Sequence, residues 1–283
     1  MISVCNNMEQ YIYAVVTSSS SKEKRKVNME KEIINRITSK RFAQLWQFYI
    51  DAFNSDEECL QFFYDALRRE PSSSIIQHIE AENDICYMDN VGNKISDAVF
   101  VPRRMLNAVE RLVSAARDME MIRRGKDIFK VVYIVTCVET LQKLAGRDKN
   151  EKGKDISKKD LLFDFFESYT QATDKQYIAC RFKHDDEDME MQENSFKQFV
   201  GVINEYRNCA AHEGDYWNYC FSNNNDGYPV QLIVKIDLEK FSGKDIQKKE
   251  HCFTTEVSYS DFEKIFIGTC VTFIKRYIER IFF

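Results

Sequence analysis

Apolar residues recur at intervals of three and four positions through most of this chain, and this spacing predicts a mainly α-helical fold. Short polar runs interrupt the pattern and set the ends of the predicted helices. These helices cover residues 29–53, 55–69, 72–82, 103–124, 127–144, 160–169, 193–213 and 261–281. Ser55, followed by three acidic residues, and Ser260, with Glu263 three positions later, are the predicted starts of two of them.

Two pairs of short segments have the composition of β-strands instead. Residues 84–88 and 98–101 flank one turn-forming run, and residues 230–236 and 252–257 form the second pair. We expect an antiparallel pair from each, with the second lying on the helical body. The predicted fold class is therefore mainly α: a helical bundle with a small antiparallel β-hairpin, preceded by a helical N-terminal region.

The composition is that of a globular protein and argues against several other classes. Only 9 of 283 residues are glycine and 3 are proline, which favours long helices. The 9 cysteines are scattered without a Cys-x-x-Cys pair, as expected for reduced thiols in a cytoplasmic protein. No apolar run is long enough for a membrane span, and no N-terminal signal pattern is present. The net charge of -5 gives no overall basic surface for nucleic acid.

The densest group of chemically competent side chains is formed by Arg207, Asn208 and His212, followed by Gly214. Arginine binds phosphate oxygens with a permanent charge, and histidine exchanges a proton near neutral pH. RNA carries its own nucleophile, the 2′-hydroxyl, so cleavage without a metal needs only a positioned acid/base and a charge stabiliser. On an α-helix, Asn208 and His212 share a face, and Gly214 is expected to end the helix.

Glu139 is a carboxylate within the strongly apolar helix predicted for residues 127–144. A carboxylate in such a helix needs a partner. One interpretation is that Glu139 lies near Arg207 or Asn208 and orients it. The alternative is that Glu139 emerges at the surface near the end of the helix.

The run Tyr206-Arg207-Asn208, with His212 and the glycine after it, resembles the Arg-Asn-x-x-x-His signature of the HEPN superfamily. The upstream apolar helix, with Glu139 in a Glu-x-Leu turn, resembles the matching helix of the ApeA-like HEPN branch. Here the tyrosine adjoins the arginine directly, which departs from the usual pattern. The resemblance covers about residues 122–283, so we expect an N-terminal segment with a basic linker (1–28), a helical region of unknown role (29–121) and a HEPN-like domain (122–283).

The resemblance implies a metal-independent endoribonuclease of a bacterial toxin or antiphage defence system, with no cofactor and no metal. Its site would form in a homodimer: His212 moves protons, Arg207 stabilises the transition state, Asn208 positions phosphate or imidazole, and Glu139 and Tyr206 support them. The implied partners are the RNA substrate, a second copy of the chain, and an antitoxin or regulatory protein; no membrane is involved. Tyr216 and Trp217 follow the motif, and their rings either stack on unpaired bases or fill the core.

Three other interpretations stay open at this stage. Arg207 and His212 can simply interact with the C-terminal dipole of their helix. The domain can be a non-catalytic HEPN-like module that binds RNA, a nucleotide or a protein, which the net acidity favours. Finally, a partner enzyme can transfer nucleotide groups onto a tyrosine such as Tyr206.

Overall fold

The computed structural model describes residues 40–67, 77–81, 84–88, 94–122, 126–184, 195–213, 219–222, 230–236 and 249–282. These residues are mainly helical and include two small antiparallel sheets, which confirms the predicted mainly α class. They belong to two compact units, one within residues 1–104 and 278–283 and the other within residues 105–277. The predicted limits at residues 28 and 121 stay predictions.

The first unit pairs two helices through aromatic rings. The ring centroids of Phe42 and Phe63 are 4.7 Å apart, and those of Tyr49 and Phe63 are 5.8 Å apart. The Ser55 hydroxyl accepts a hydrogen bond from the Glu58 backbone N–H at 3.2 Å, as expected of an N-cap. The elements are α1 (Lys40–Tyr49), a 3₁₀ turn (Ile50–Ala52), α2 (Asp56–Leu67), β1 (Gln77–Ala81), β2 (Asp84–Met88), β3 (Lys94–Ile95) and a second 3₁₀ turn (Asp97–Phe100).

Two predictions for this region were wrong. Residues 77–81, expected within a helix, form strand β1, which pairs antiparallel with β2. Residues 98–101, expected as the strand that returns to 84–88, are helical, and β3 pairs with β2 instead. The physical reason lies in the local cap: the Ser96 hydroxyl accepts from the Ala98 N–H at 3.3 Å and begins a helical turn just before Pro102.

The rest of the chain forms a helical body around one apolar helix, α4. This helix packs against α5, α7 and the π-helical turn that follows α7. The elements are α3 (Val101–Ile122), α4 (Asp127–Leu144), α5 (Lys158–Tyr169), α6 (Ala172–Arg181), β4 (Phe182–His184), α7 (Ser195–Asn208), the π turn (Cys209–Glu213), β5 (Val230–Ile236), β6 (Lys249–Thr255) and α8 (Tyr259–Phe282).

Helix α4 has the predicted bounds, Asp127–Leu144, because strong signals mark its C-terminal end. Gly146 adopts a φ of 66°, a conformation that costs glycine little. The N–H of Gly146 then donates to the Lys143 carbonyl and that of Arg147 to the Gln142 carbonyl, which completes a Schellman motif. The apolar positions of the helix are buried on several sides: Ile128, Val131, Ile134, Val135, Cys137, Val138 and Leu141.

A cluster of phenylalanine rings joins α5, α7 and α8. Phe262 of α8 lies 5.4 Å from Phe199 of α7 and 6.1 Å from Phe166 of α5, measured between ring centroids. Phe266 lies 6.1 Å from both Phe165 and Phe166. All five rings are buried, so this cluster holds α7, and with it the Arg-Asn motif, against the body of the protein.

The predicted strand pair 230–236 and 252–257 is present, and β4 adds a third strand. The order in the sheet is β4-β6-β5, with both pairs antiparallel. Phe182 of β4 stacks on Phe253 of β6 at 5.1 Å and meets Phe199 of α7 at 5.4 Å. A strand of three residues is too short to give a clear alternating pattern, which explains why the sequence did not reveal β4.

The N-cap predicted for the last helix was also wrong. Helix α8 begins two residues earlier than expected, so Ser258 rather than Ser260 is the cap. The Ser258 hydroxyl accepts from the Asp261 N–H at 3.1 Å and donates to the Asp261 carboxylate at 2.7 Å. Because the helix starts earlier, Glu263 is not needed for the predicted cap. Its Oε1 atom instead lies 2.8 Å from Nη2 of Arg117, in an ion pair.

These two serines provide a matched test of the cap. Ser258→Ala removes the acceptor for the Asp261 N–H, so we expect it to lower the free energy of unfolding by about 1 kcal/mol. Ser260→Ala, inside the first helical turn, should change it by less than about 0.5 kcal/mol. Urea unfolding of both variants, compared with the parent, measures the difference. Equal effects of the two substitutions would contradict this assignment of the cap.

Candidate functional site

Arg207 lies in the last turn of α7 and is held by two neighbours. Its Nη2 atom donates to Oε1 of Glu139 at 2.6 Å, and its Nη1 atom donates to Oδ1 of Asn208 at 3.1 Å. The Arg207 side chain is only 13% exposed, so the guanidinium is fixed in place with a small face open to solvent. A guanidinium has five N–H donors, and among the described residues only these two bonds use them, so the others can bind an anion.

Glu139 occupies the least buried side of α4, beside exposed Thr136 and Lys143. Its side chain is 26% exposed and contacts Arg207, as one of the two sequence interpretations expected. Its second oxygen, Oε2, lies 3.4 Å from Nζ of Lys158, the first residue of α5. One carboxylate therefore joins two cations from different helices.

Lys158 is the member of this group that the sequence did not reveal. It follows the N-cap Ser157 and is 19 positions from Glu139 along the chain, so no helical spacing relates the two. The connection depends on how α4 and α5 pack against each other. The only local signal was a lysine in the first turn of a helix, where acidic residues are preferred.

The chain geometry changes immediately after Asn208. The α-helix ends there, and residues Cys209–Glu213 form a π-helical turn that includes the backbone of His212. In a π turn the hydrogen bonds span five residues rather than four. The regular α-helical spacing that the sequence predicted between positions 208 and 212 is therefore interrupted. The side chain of His212 lies outside the described part of the structure.

The other predicted site residues fall into two groups. Tyr206 is 2% exposed, and its ring lies 4.7 Å from that of Tyr219, so it is a core residue next to the motif. That burial argues against Tyr206 as an acceptor of nucleotide groups. Tyr216 and Trp217 lie outside the described residues.

A buried carboxylate at the start of α4 fixes the segment that follows the motif. Oδ2 of Asp127 accepts from the backbone N–H of Phe221 at 2.8 Å, and Oδ1 lies 2.7 Å from Nζ of Lys130. The Lys130 amine also contacts Glu120 at 2.6 Å. Burial lowers the pKa of Lys130, but the hydrogen bonds to Asp127 and Glu120 outweigh it, and the pKa is raised overall. Lys130 therefore stays charged at neutral pH and supports Asp127.

Two further observations concern ligands and membranes. Within the described ranges, no group of three or more His, Cys, Asp or Glu side chains is arranged to hold a metal ion. None of the helices in that part of the chain combines the length and the apolar character that crossing a bilayer requires.

Comparisons with protein-family models, with curated proteins and with solved structures found no match to this chain. The resemblance to the HEPN superfamily therefore stays an expectation from the motif residues alone. The geometry around Arg207 is an independent observation, since it follows from the packing of α4, α5 and α7.

The ion pair between Glu139 and Arg207 should be strongly coupled because both groups are largely buried. We expect a double-mutant cycle with Glu139→Ala and Arg207→Ala to give a coupling energy of about 1–2 kcal/mol in the free energy of unfolding. The pair Asp97 and Arg104 is the control, since its side chains are 62% and 42% exposed and its N···O distance is 3.5 Å. There the coupling should be about 0.5 kcal/mol or less. Equal couplings in the two cycles would argue against a fixed guanidinium.

Tyr219 offers a test of the packing beside the motif. Its hydroxyl is buried without a hydrogen-bond partner among the described residues, so Tyr219→Phe should raise the free energy of unfolding by about 1 kcal/mol. Tyr169→Phe is the control and should lower it by a similar amount, because the Tyr169 hydroxyl accepts from Arg147.

The stability of the Tyr219→Phe variant should also depend on pH differently from that of the parent. Burial raises the pKa of Tyr219, so its hydroxyl stays neutral in the folded state while the unfolded chain ionises. The parent should therefore lose stability as the pH rises beyond the ordinary tyrosine pKa, and Tyr219→Phe should lose less. Urea unfolding at neutral and alkaline pH measures both effects. A Tyr219→Phe variant that is less stable than the parent would show that the hydroxyl is satisfied.

Proposed function

We propose that this chain is a metal-independent endoribonuclease that cleaves RNA at a site formed by two copies of the motif Arg207, Asn208 and His212. The observation that carries the proposal is the fixed guanidinium of Arg207, which is held by Glu139 and Asn208 and has further N–H donors that no other described residue occupies. A preorganised cation of this kind suits a phosphodiester, whose negative charge grows as the reaction proceeds.

In the proposed reaction, the 2′-oxygen attacks the adjacent phosphorus and the bond to the 5′-oxygen breaks. The 2′-hydroxyl loses its proton to a base, the 5′-oxygen gains one from an acid, and the products end in a 2′,3′-cyclic phosphate and a 5′-hydroxyl. His212 of each copy would serve as base or acid, since imidazole is poised for both near neutral pH. Arg207 would bind the non-bridging phosphate oxygens.

Asn208 has a more specific role in this proposal than the sequence suggested. Its amide oxygen accepts from Nη1 of Arg207, so it orients the guanidinium from the opposite side to Glu139. Two hydrogen-bonded neighbours restrict the rotation of a long side chain that otherwise has many conformations. The arginine is thus ordered before substrate arrives, which lowers the entropic cost of binding the transition state.

A second candidate function is a non-catalytic module that binds RNA, a nucleotide or a protein. The observation that favours it is the ion pair itself, because Glu139 neutralises part of the charge that a phosphate would meet. The net charge of -5 acts in the same direction. The biological setting implied by the resemblance, a cytoplasmic toxin or antiphage protein with an antitoxin or regulator, is part of the leading proposal.

RNA cleavage in the presence of EDTA tests the leading proposal. We expect the parent to release fragments with 2′,3′-cyclic phosphate ends, and His212→Ala and Arg207→Ala to reduce the rate by about 100-fold or more. Glu139→Gln should slow cleavage by about tenfold, since the amide keeps a hydrogen bond to Arg207 but loses the charge. Lys197→Ala, an exposed residue on the same helix as Arg207, is the matched control and should cleave at the parental rate.

Two outcomes would contradict this mechanism. If His212→Ala cuts RNA as fast as the parent, the imidazole is not the acid or base. If the parent binds RNA without cutting it, even at high protein concentration, the non-catalytic function is selected instead.

A further inference from the structure

Lys158 stands beside the motif in space although it is remote from it in sequence. Its Nζ atom lies 3.4 Å from Oε2 of Glu139, while Oε1 of the same carboxylate accepts from Arg207 at 2.6 Å. Two cations therefore share one anion, and the group of three carries one net positive charge. The Lys158 side chain is 60% exposed, so its amine is open to solvent on the side away from Glu139.

The contribution of Lys158 to folding does not account for this placement. An ion pair with a partner this exposed stabilises a protein by only about 0–1 kcal/mol. In addition, Lys158 is the first residue of α5, where the helix dipole is positive and a cation is unfavourable. Lys159, the next residue, places its amine 5.9 Å from the Phe163 ring centroid, along its own helix. Only Lys158 of this pair is directed at the motif.

We infer that Lys158 is a second cation of the RNA site and binds a phosphate next to the scissile one; this rests on the endoribonuclease proposal above. Arg207 and Lys158 contact the two oxygens of a single carboxylate, so their charged groups are close enough to bind neighbouring phosphates of one strand. Arg207 is ordered and nearly buried, whereas Lys158 is exposed and mobile enough to leave Glu139 for a phosphate.

Arg207 and Lys158 differ in burial, and this difference gives each cation a separate role in binding RNA. Arg207, at 13% exposure, reaches one defined point and suits the reacting phosphate. Lys158, at 60% exposure, suits a phosphate that stays unchanged during the reaction. A contact with an unreacting group strengthens the binding of substrate and transition state equally, so it lowers KM without raising kcat.

The test compares Lys158→Ala with Lys159→Ala on a short single-stranded RNA that the parent cleaves. We expect Lys158→Ala to raise KM by about tenfold, as befits the loss of one charged hydrogen bond, with kcat changed by less than about twofold. The slope of log K against log salt concentration for RNA binding should fall by about 0.7, the value for one phosphate contact on a single strand. Lys159→Ala should leave KM, kcat and slope at parental values, and Lys158→Arg should restore KM.

The outcomes separate this inference from the endoribonuclease proposal. If the parent cleaves RNA through His212 but Lys158→Ala keeps the parental KM and salt slope, Lys158 does not bind substrate and the site stands without it. If Lys158→Ala lowers kcat and leaves KM unchanged, its effect passes through Glu139 and Arg207, and the inference is wrong. If the parent neither binds nor cleaves RNA, both are wrong. Thermal melting of the two alanine variants, expected to agree within about 2 °C, shows that neither result comes from unfolding.

Discussion

A carboxylate on a buried helix must be matched by a cation or by hydrogen-bond donors, and this constraint organises both ends of α4. At the start of the helix, Asp127 is met by Lys130 and by a backbone N–H. Near its end, Glu139 is met by Arg207 and Lys158. The inward positions of α4 are mostly apolar, so these two carboxylates and Gln142, whose Nε2 donates to the Leu161 carbonyl at 3.4 Å, make its polar contacts with segments distant in sequence among the described residues. Removing either carboxylate would take from a largely buried cation, Lys130 or Arg207, one of its two polar partners.

The contacts of Glu139 and Asp127 hold the chain on both sides of the motif. Before residue 214, α7 is held by the ion pair of Arg207 and by the buried ring of Tyr206. After residue 218, the chain is held by the Tyr219 ring against Tyr206 and by the bond from the Phe221 N–H to Asp127. The π turn at the end of α7 lies between these two anchored segments and packs against α4.

How much the sequence revealed depended on the length of the pattern that carried each feature. Helix α4 was placed correctly because an eighteen-residue segment rich in apolar residues is bounded by polar runs and is followed by Gly146, which adopts the left-handed conformation. The contact between Glu139 and Arg207 was one of two interpretations left open by the rule that a carboxylate on such a helix needs a partner. Strand β4 gave no readable pattern in three residues. The sequence predicted Ser260 as the cap of α8 because Glu263 stands three positions later, but Ser258 makes the capping bonds to Asp261 and Glu263 pairs with Arg117. Lys158 could not be found, since its position depends on tertiary packing.

The acidity of the chain and a cationic RNA site are compatible if binding is local. A protein with a net charge of -5 repels RNA at long range, so non-specific association along its surface is weak. Within a few ångströms of Glu139 the balance is reversed, because Arg207 and Lys158 outnumber the single carboxylate between them. Under the proposed function, Lys158 strengthens the binding of substrate and transition state equally, but the attraction is confined to one point against a repulsive background. Under the proposed function, that arrangement favours release of the cleaved strands and leaves the interactions of Arg207 to act mainly in the transition state.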